Sequence, residues 1–194
     1  MRLRIKEGNI YMDSGTKLYE RFVDGDESAL GEMVEQYFDS MVLFVNQYLN
    51  DFHAAEDIVE DTFAKVLMKK FNYAKKSSFK TYLYKAARND ALSYLRKHKG
   101  KTVDFEALVL SADAEHIEEQ LIHKDEVLRL YRCIEKLPPQ YKEFVHLHYL
   151  DELSYDEIAL VLHKNKTQLK NLSYRAKAAL KELYEKEGGS DEID

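Results

Sequence analysis

The feature that most constrains the fold of this sequence is an apolar pattern that repeats every three or four residues. The clearest stripe runs from Phe79 through Leu83 and Ala87 to Leu95, and similar stripes cover residues 29–49 and 55–67. This period is typical of amphipathic α-helices that bury one face. The 194 residues include only two prolines and seven glycines, which argues against a β-rich or loop-rich fold. The pattern therefore predicts an all-α protein.

The helical pattern is interrupted once, after Gly100. Residues 100–117 mix charges with a short apolar patch and keep no sustained period, and the pattern resumes from about Ile117. We therefore predict two small helical domains, residues 13–99 and 118–186, joined by a flexible linker over residues 100–117. Pro138 and Pro139 end one helix of the second domain, and Pro139 suits the first turn of the next one. On that next helix the period predicts an inward face made of Tyr141, Phe144, Val145, His148 and Tyr149.

A helix-turn-helix is predicted near the C-terminus. Ser154 and Glu157 have the spacing of a capping box, and the helix that they begin ends near Leu162. A turn at residues 163–165 follows, and His163 and Asn165 both tolerate the left-handed backbone region that such turns use. The next helix is rich in lysine and arginine, which favours a DNA-binding motif over an ordinary helical hairpin.

The composition excludes several classes of protein. The single cysteine, Cys133, rules out a disulfide framework and suits a reducing cytosol, where we expect a packed core thiol. No apolar run approaches the roughly 20 residues that span a bilayer, and the N-terminus does not resemble a signal peptide. His146 and His148 lie on different helix faces, and no phosphate loop or hydrolase motif is present. We expect a cytoplasmic protein that is not an enzyme and needs no cofactor or metal.

Charge is segregated along the chain, although the total is only −6. Residues 13–61 sum to 2 − 13 = −11, residues 62–101 to 12 − 1 = +11, residues 102–160 to 5 − 14 = −9 and residues 161–186 to 7 − 2 = +5. Two basic segments that contain aromatic residues are typical of a polyanion partner such as nucleic acid. The acidic segments would repel DNA and predict a different partner.

Five stretches resemble sigma-70-family transcription initiation factors. In region 4 they are LPPQYKEF at 137–144, LSYDEIA at 153–159 and YRAKAAL at 174–180; in region 2 they are AEDIVEDTF at 55–63 and FKTYLYKAARN at 79–89. The resemblance covers residues 15–100 and 118–185, in the family's order. The small size, without regions 1.1 and 3, is similar to the extracytoplasmic-function (ECF) group. The resemblance implies a promoter-specificity subunit of bacterial RNA polymerase that also aids promoter melting.

The resemblance assigns roles to the charged segments. The resemblance implies that the acidic helix around residues 55–63 docks on the β′ coiled coil of core RNA polymerase, and complementary charge would speed this docking. It also implies that region 4 lies near the β flap. The polymerase-binding residues of the acidic helix would be Glu56, Asp57, Glu60 and Asp61. The family implies promoter DNA as a further partner and an anti-sigma factor as a possible one, without membrane insertion.

The first basic segment would bind the melted −10 element, whose unstacked bases need aromatic faces and a cationic groove. The candidates are Tyr73, Lys75, Lys76, Lys80, Tyr84, Arg88, Asn89, Arg96 and Lys97. We expect Tyr82 to lie in the core stripe and both Tyr84 and Asn89 to lie off it.

The second basic segment would read the −35 element in the major groove. The base-reading candidates are Lys166, Gln168, Lys170 and Asn171, with Arg175 and Lys177 on phosphates. We expect Leu169 and Leu172 in the core.

Three positions depart from the family pattern. Tyr82 replaces a Trp of region 2.3, Glu60-Asp61 replaces a Gln-Glu pair, and Leu172 replaces an Arg that is frequent in the recognition helix. Tyr82 keeps an aromatic plane, Glu60-Asp61 keeps the acidity without the amide, and Leu172 removes one DNA contact that the family pattern implies.

Two other classes stay open at this level. A helix-turn-helix regulator that never binds polymerase would need only one basic segment, and an interaction module such as an adaptor would need neither.

Overall fold

The computed structural model describes residues 13–68, 73–98 and 125–187, and these residues form helices joined by short turns. The predicted linker, residues 100–117, lies outside the described residues. In chain order the helices are α1 (Ser14–Val23), α2 (Ser28–Leu49), α3 (Phe52–Met68), α4 (Phe79–His98), α5 (Asp125–Glu135), α6 (Pro139–Val145), a π-helical turn (His146–Leu150), α7 (Tyr155–Leu162) and α8 (Lys166–Lys186). The predicted all-α fold is confirmed.

Helices α1 to α4 form an N-terminal bundle around α2, which packs on the other three. The stripes predicted for α2, α3 and α4 supply its core, with Met33, Val59 and Leu83 among the buried residues. Ser78 caps α4, because its hydroxyl accepts a hydrogen bond from the Thr81 amide at 3.2 Å. Helix α1 was not predicted from the sequence, and its start is capped by Asp13, whose carboxylate accepts a hydrogen bond from the Thr16 amide at 2.8 Å.

Helices α5 to α8 form the C-terminal bundle. Pro139 occupies the first turn of α6, and Ser154 and Glu157 form the predicted capping box of α7. His163 ends α7 with a φ of 54°, and Asn165 caps α8, so the predicted helix-turn-helix is confirmed in detail. Cys133, Leu169 and Leu172 are buried, as expected.

A π-helical turn breaks the regular period after α6. The added residue rotates the following side chains, so Tyr149, which the helical period placed in the core, is 45% exposed. His146 and Asp151, at the two ends of this turn, are buried instead. The turn thereby directs one imidazole and one carboxylate toward the N-terminal bundle.

The two bundles pack against each other, mainly through α4 against α7 and α2 against α6. This contact corrects one expectation, because Tyr84 was placed outside the core stripe but is completely buried. Its ring packs against Phe44 of α2, with 5.3 Å between the ring centres, and its hydroxyl donates to Asp151 of the other bundle. Tyr82 is half-buried and packed against the core, with its ring near those of Tyr73 and Phe79.

Candidate nucleic-acid interface

The exposed face of α8 carries the second set of predicted DNA-binding residues. Leu169 and Leu172 turn inward and fix the rotation of the helix, so the polar residues between them face solvent. The exposed residues are Lys166, Gln168, Lys170, Asn171, Arg175 and Lys177. Lys166 is held loosely by Asp156, with 3.2 Å between Nζ and the carboxylate and both side chains largely exposed. The face is cationic and open, as a helix that enters the major groove requires.

Gln168 has a second task at the start of α8. Its side-chain oxygen accepts a hydrogen bond from the Asn165 amide at 2.9 Å, and the Asn165 side chain accepts one from the Gln168 amide at the same distance. A bidentate contact with adenine needs both the oxygen and the NH2 group of an amide side chain. Gln168 therefore has its NH2 group available for a base, while its oxygen holds the helix cap.

The polar face of α4 is arranged differently, because carboxylates of the C-terminal bundle cover it. Arg88 Nε donates to Glu143 at 2.8 Å, and Tyr48 of α2 donates to the same carboxylate. Both Glu143 and Arg88 are largely removed from solvent, with side-chain exposures of 3% and 13%. A pair this deeply buried is stable only when each partner is satisfied, as here.

Asp151 is the centre of a second cluster on this face. Its carboxylate accepts hydrogen bonds from Tyr84 at 2.6 Å and from Ser40 of α2 at 2.8 Å. Lys80 Nζ lies 3.2 Å from the same oxygen and donates to the Asp151 carbonyl at 2.6 Å. His146 Nε2 lies 3.0 Å from the other carboxylate oxygen. The result is a buried acid that joins α2, α4 and the π-helical turn.

Glu157 forms the third contact between the bundles. One of its oxygens completes the capping box with Ser154, and the other accepts hydrogen bonds from Ser78 at 2.7 Å and Thr81 at 3.1 Å. One carboxylate thus begins α7 and binds the first turn of α4. The Glu157 oxygens also lie near the N-terminal end of α4, where the helix dipole favours negative charge.

These surroundings shift the acidity of the groups involved. Burial alone would raise the pKa of the Asp151 carboxyl, but the hydrogen bond and charge of His146 and the charge of Lys80 hold that pKa below its usual value. Burial would likewise lower the pKa of Arg88, and the Glu143 carboxylate outweighs it, so the pKa is raised. Burial raises the pKa of Tyr84 well above its usual value, and neighbouring Asp151 adds to this effect. Asp151 and Arg88 are therefore charged near neutrality, and Tyr84 is a hydrogen-bond donor.

The remaining residues predicted for the −10 element are spread over the N-terminal bundle. Lys76, Asn89, Arg96 and Lys97 are exposed. Lys75 is half-buried in an ion pair with Glu20 of α1. Tyr73 is buried among Tyr19, Phe79 and Tyr82, and its hydroxyl donates to the Ser77 carbonyl at 2.5 Å. In this conformation the fold therefore uses Tyr73, Tyr84 and Arg88 internally.

The predicted polymerase-binding residues form one acidic face on α3. Glu56, Asp57, Glu60 and Asp61 are all exposed, while Ile58, Val59 and Phe63 turn inward. Glu60 borders a shallow apolar groove between α2 and α3, whose other walls are Val34, Phe38 and Phe63. An acidic rim beside an apolar groove can bind a basic helix through both charge and packing.

Comparison with known proteins assigns this arrangement to a family. Two family models match, sigma-70 region 2 at residues 33–101 and sigma-70 region 4 at residues 128–180. The ECF RNA polymerase sigma factor SigM of Bacillus subtilis is 30% identical over 84% of this chain and 99% of its own length. SigW of the same species is 27% identical over 81% of this chain and 89% of its own length.

This chain belongs to the ECF RNA polymerase sigma factors. It is a promoter-specificity subunit, and the alternative of a regulator that does not act with polymerase is not favoured.

Solved structures confirm the fold of this sigma factor. CnrH in complex with the cytosolic domain of CnrY superposes with a TM-score of 0.62 and 18% identity, over 89% of this chain and 98% of that one. The sigma factor RpoE in complex with the anti-sigma factor NepR, from Bartonella quintana, gives a TM-score of 0.58 and 22% identity, over 80% of this chain and 96% of that one.

Two features of the sigma factor were missed in the sequence. Tyr174 is 77% exposed on α8, three residues after Asn171 and four after Lys170, on the face that those residues share. Its place outside the leucine stripe could have identified it. The role of Glu143, Asp151 and Glu157 in covering α4 had no sequence signal, since they lie 55 or more residues from their α4 partners.

Two kinds of site are not found in the described ranges 13–68, 73–98 and 125–187. No three His, Cys, Asp or Glu side chains there are grouped so that they could hold a metal ion. No helix within the same ranges combines the length and apolar character that crossing a membrane requires.

Proposed function

We propose that the two bundles of this sigma factor divide promoter recognition between them. The N-terminal domain, residues 13–99, docks on core polymerase and captures the melted −10 strand, and the C-terminal domain, residues 118–186, reads the −35 element. The chain itself catalyses no reaction and acts in the cytoplasm. The observation that carries this proposal is the pairing of an open cationic recognition helix, α8, with a separate acidic face on α3, within one sigma-family chain.

The acidic face of α3 is proposed as the docking surface for the β′ coiled coil. Its four carboxylates are exposed, and two of them have a basic side chain nearby on the same helix: Asp61 lies 3.8 Å from Lys65 and Glu56 lies 3.6 Å from the His53 ring. Such exposed pairs contribute little to stability, so a basic partner can replace them at low cost. The β flap is the proposed second contact, made by the C-terminal bundle.

Helix α8 is proposed to read the −35 element through Lys170, Asn171 and the NH2 group of Gln168. Lys166, Arg175 and Lys177 would bind phosphates, which position the helix without reading sequence. Lys177 Nζ lies 5.9 Å from the centre of the Tyr149 ring, and this cation–π contact helps to orient the ammonium group. Tyr174 adds an exposed ring that can contact a thymine methyl group or a sugar.

The −10 surface is proposed to consist of the exposed residues Lys76, Asn89, Arg96 and Lys97 together with the covered residues Lys80, Tyr84 and Arg88. Unstacked bases bind aromatic faces beside cations, and Lys80 already lies 5.7 Å from the centre of the Tyr84 ring. Lys75 and Tyr73 would support this surface from the preceding loop, Lys75 by contact with phosphate and Tyr73 by packing.

An anti-sigma factor is proposed as a further partner. The support is the similar fold of the RpoE complex with its anti-sigma factor NepR, and the apolar groove between α2 and α3 offers a surface that such a partner could bind. Co-purification of the tagged chain from its own host, followed by a competition assay against core polymerase, tests this partner.

The proposed division of labour is tested by run-off transcription with core polymerase on genomic fragments. Reversal of the exposed cations, Lys76→Glu, Arg96→Glu and Lys97→Glu, is expected to abolish open-complex formation while core binding stays intact. The control is the reversal of Lys17, Lys136 and Lys186, which changes the net charge equally outside both proposed DNA surfaces. Unchanged transcription by the first triple variant, or equal loss in the control, would refute the assignment of the −10 surface.

A further inference from the structure

The face of α4 that is proposed to bind the −10 strand is occupied by the chain's own carboxylates. Lys80, Tyr84 and Arg88 are bound by Asp151 and Glu143 of the C-terminal bundle. A carboxylate presents acceptor oxygens and negative charge to lysine, tyrosine and arginine, which is what a DNA phosphate presents. We propose that Glu143, Asp151 and Glu157 form a latch, three acidic residues that hold the free sigma factor closed and exclude DNA from α4. This inference rests on the function proposed above.

The closed arrangement is incompatible with simultaneous binding of both promoter elements. The names of the −35 and −10 elements place them about 25 base pairs apart, which is roughly 85 Å of B-form DNA at about 3.4 Å per base pair. In the closed arrangement α4 and α7 touch, with Ser78 Oγ 2.7 Å from a Glu157 oxygen. Helix α8 follows α7 after a three-residue turn. The bundles must therefore separate before α4 and α8 can hold one promoter.

The chemistry of the latch allows this separation. Its contacts are ion pairs and hydroxyl-to-carboxylate hydrogen bonds, and water or phosphate can replace both kinds. The Coulomb energy of a buried ion pair largely offsets the cost of removing its charges from water, so such a pair gives orientation more than net stability. Polar contacts between domains are typical of interfaces that open. The closed and open states are then close in free energy, and a partner that binds one of them can shift the balance.

The π-helical turn positions the Asp151 part of the latch. Asp151 follows the last residue of the turn and donates its amide to the His146 carbonyl at 3.0 Å, and His146 Nε2 lies 3.0 Å from the Asp151 carboxylate. Nδ1 of His146 lies 2.7 Å from the Gln47 Nε2 atom of α2, which fixes the imidazole from the other side. Because a π-helical turn changes the angular position of the residues that follow it, this turn sets the direction of Asp151 relative to α6.

The test compares the wild-type chain with the triple variant Glu143→Gln, Asp151→Asn and Glu157→Gln. These substitutions keep the shapes of the side chains and the capping box of α7 but remove the three charges. The control variant, Glu152→Gln, Glu182→Gln and Glu185→Gln, changes the net charge equally at exposed positions of the same half. Each full-length chain is examined by small-angle X-ray scattering, by anisotropy with a short single-stranded DNA of mixed sequence, and by run-off transcription with core polymerase.

The latch variant is expected to have a larger radius of gyration than the wild type and to bind the DNA about tenfold more tightly, the factor expected if one wild-type molecule in ten is open. The control is expected to match the wild type in scattering and within about twofold in binding. A latch variant that stays compact, or that gains no more affinity than the control, would overturn the inference. If that variant and the wild type still transcribe equally, the proposed function survives; if the wild type fails to transcribe with core polymerase, the proposed function fails.

Discussion

Helices α4 and α8 carry the two basic surfaces of this sigma factor, and they differ in what faces them. On α8 the cations Lys170 and Arg175 are exposed to solvent. On α4 the cations Lys80 and Arg88 are in contact with carboxylates of the other bundle, and Tyr84 between them is completely buried. Each helix buries an apolar face in its own bundle, and each begins after a residue whose side chain caps it. The difference that matters here is what covers the polar face of each helix.

The difference shows that a basic segment does not have to be an accessible one. Residues 62–101 contain one acid among twelve bases, and yet the tertiary fold brings three acids from residues 143–157 onto this segment. The surface of α8 is open in the free chain, as the proposed −35 contact requires. The surface of α4 is covered, so under the proposed latch the bundles must separate before α4 can bind the −10 strand.

The largest expected effect is a loss of stability when a buried leucine of either helix is shortened, and the loss should be similar for α4 and α8. Leu83→Ala in α4 and Leu169→Ala in α8 each remove a side chain that is at most 1% exposed. We expect each to lower the free energy of unfolding by about 2–5 kcal/mol, because a cavity is left in a packed core. Urea unfolding followed by circular dichroism measures this value.

The matched controls are Lys76→Ala and Lys170→Ala, which should change the unfolding free energy by less than about 0.5 kcal/mol. A large loss for only one of the two leucines would mean that the two helices are not equally integrated into the fold.

The second prediction concerns the salt dependence of duplex DNA binding by the free chain. Reversal of Lys166, Arg175 and Lys177 to Glu should lower the slope of log affinity against log salt by about 3, since three proposed phosphate contacts are lost. Lys80→Ala should leave that slope unchanged, because its ammonium group is occupied by Asp151 in the closed state. Electrophoretic mobility or anisotropy titrations at several salt concentrations give both slopes, and equal losses would remove the distinction between the helices.

The third prediction concerns pH. The pKa of Asp151 in the folded chain lies below its ordinary value of 3.8, so its contribution to stability is complete above that value and is lost as the pH falls through the folded pKa. The groups that face this carboxylate are Tyr84 and Lys80 from α4, Ser40 from α2 and His146 from the π-helical turn. The free energy of unfolding of the wild type minus that of Asp151→Asn should therefore be constant near neutral pH and decrease as the pH becomes acidic. A difference that falls above pH 5 would contradict this assignment.

The smallest expected effect is on base reading. Gln168→Ala should change the −35 preference at one base position by about 1 kcal/mol, since the NH2 group is lost. Loss of its capping oxygen should also cost a few tenths of a kcal/mol in stability. Affinity for core polymerase should be unchanged. Binding to a library of −35 duplexes measures the preference, and a parallel loss of core affinity would show that the residue acts through the fold.

Local features of this fold could be predicted from the sequence. The capping residues Ser78, Ser154 and Asn165, the left-handed turn residue His163 and the stripe of α8 all depend on neighbours within a few positions. Helix α1 was missed because its ten residues give a short pattern. The prediction that Tyr149 faces inward was wrong, because a π-helical turn contains more residues than an α-helical turn and so shifts the positions that the α-helical period predicts.

Long-range contacts could not be predicted in the same way. Nothing in the residues around Tyr84 shows that Asp151 lies 2.6 Å away in the folded chain. The separation in sequence is 67 residues, and the contact exists only because two bundles pack together. The residues of the candidate site were therefore found by their chemistry, while their accessibility was decided by tertiary structure.

Hydroxyl-radical footprinting with mass spectrometry tests the central claim most directly, with Tyr84 and Tyr174 as paired probes in one chain. Tyr84 should be protected in the free sigma factor and should become reactive when core polymerase binds without DNA, while Tyr174 should react readily in the free chain. High reactivity of Tyr84 in the free chain, or continued protection of Tyr84 on core polymerase that supports transcription, would contradict the account.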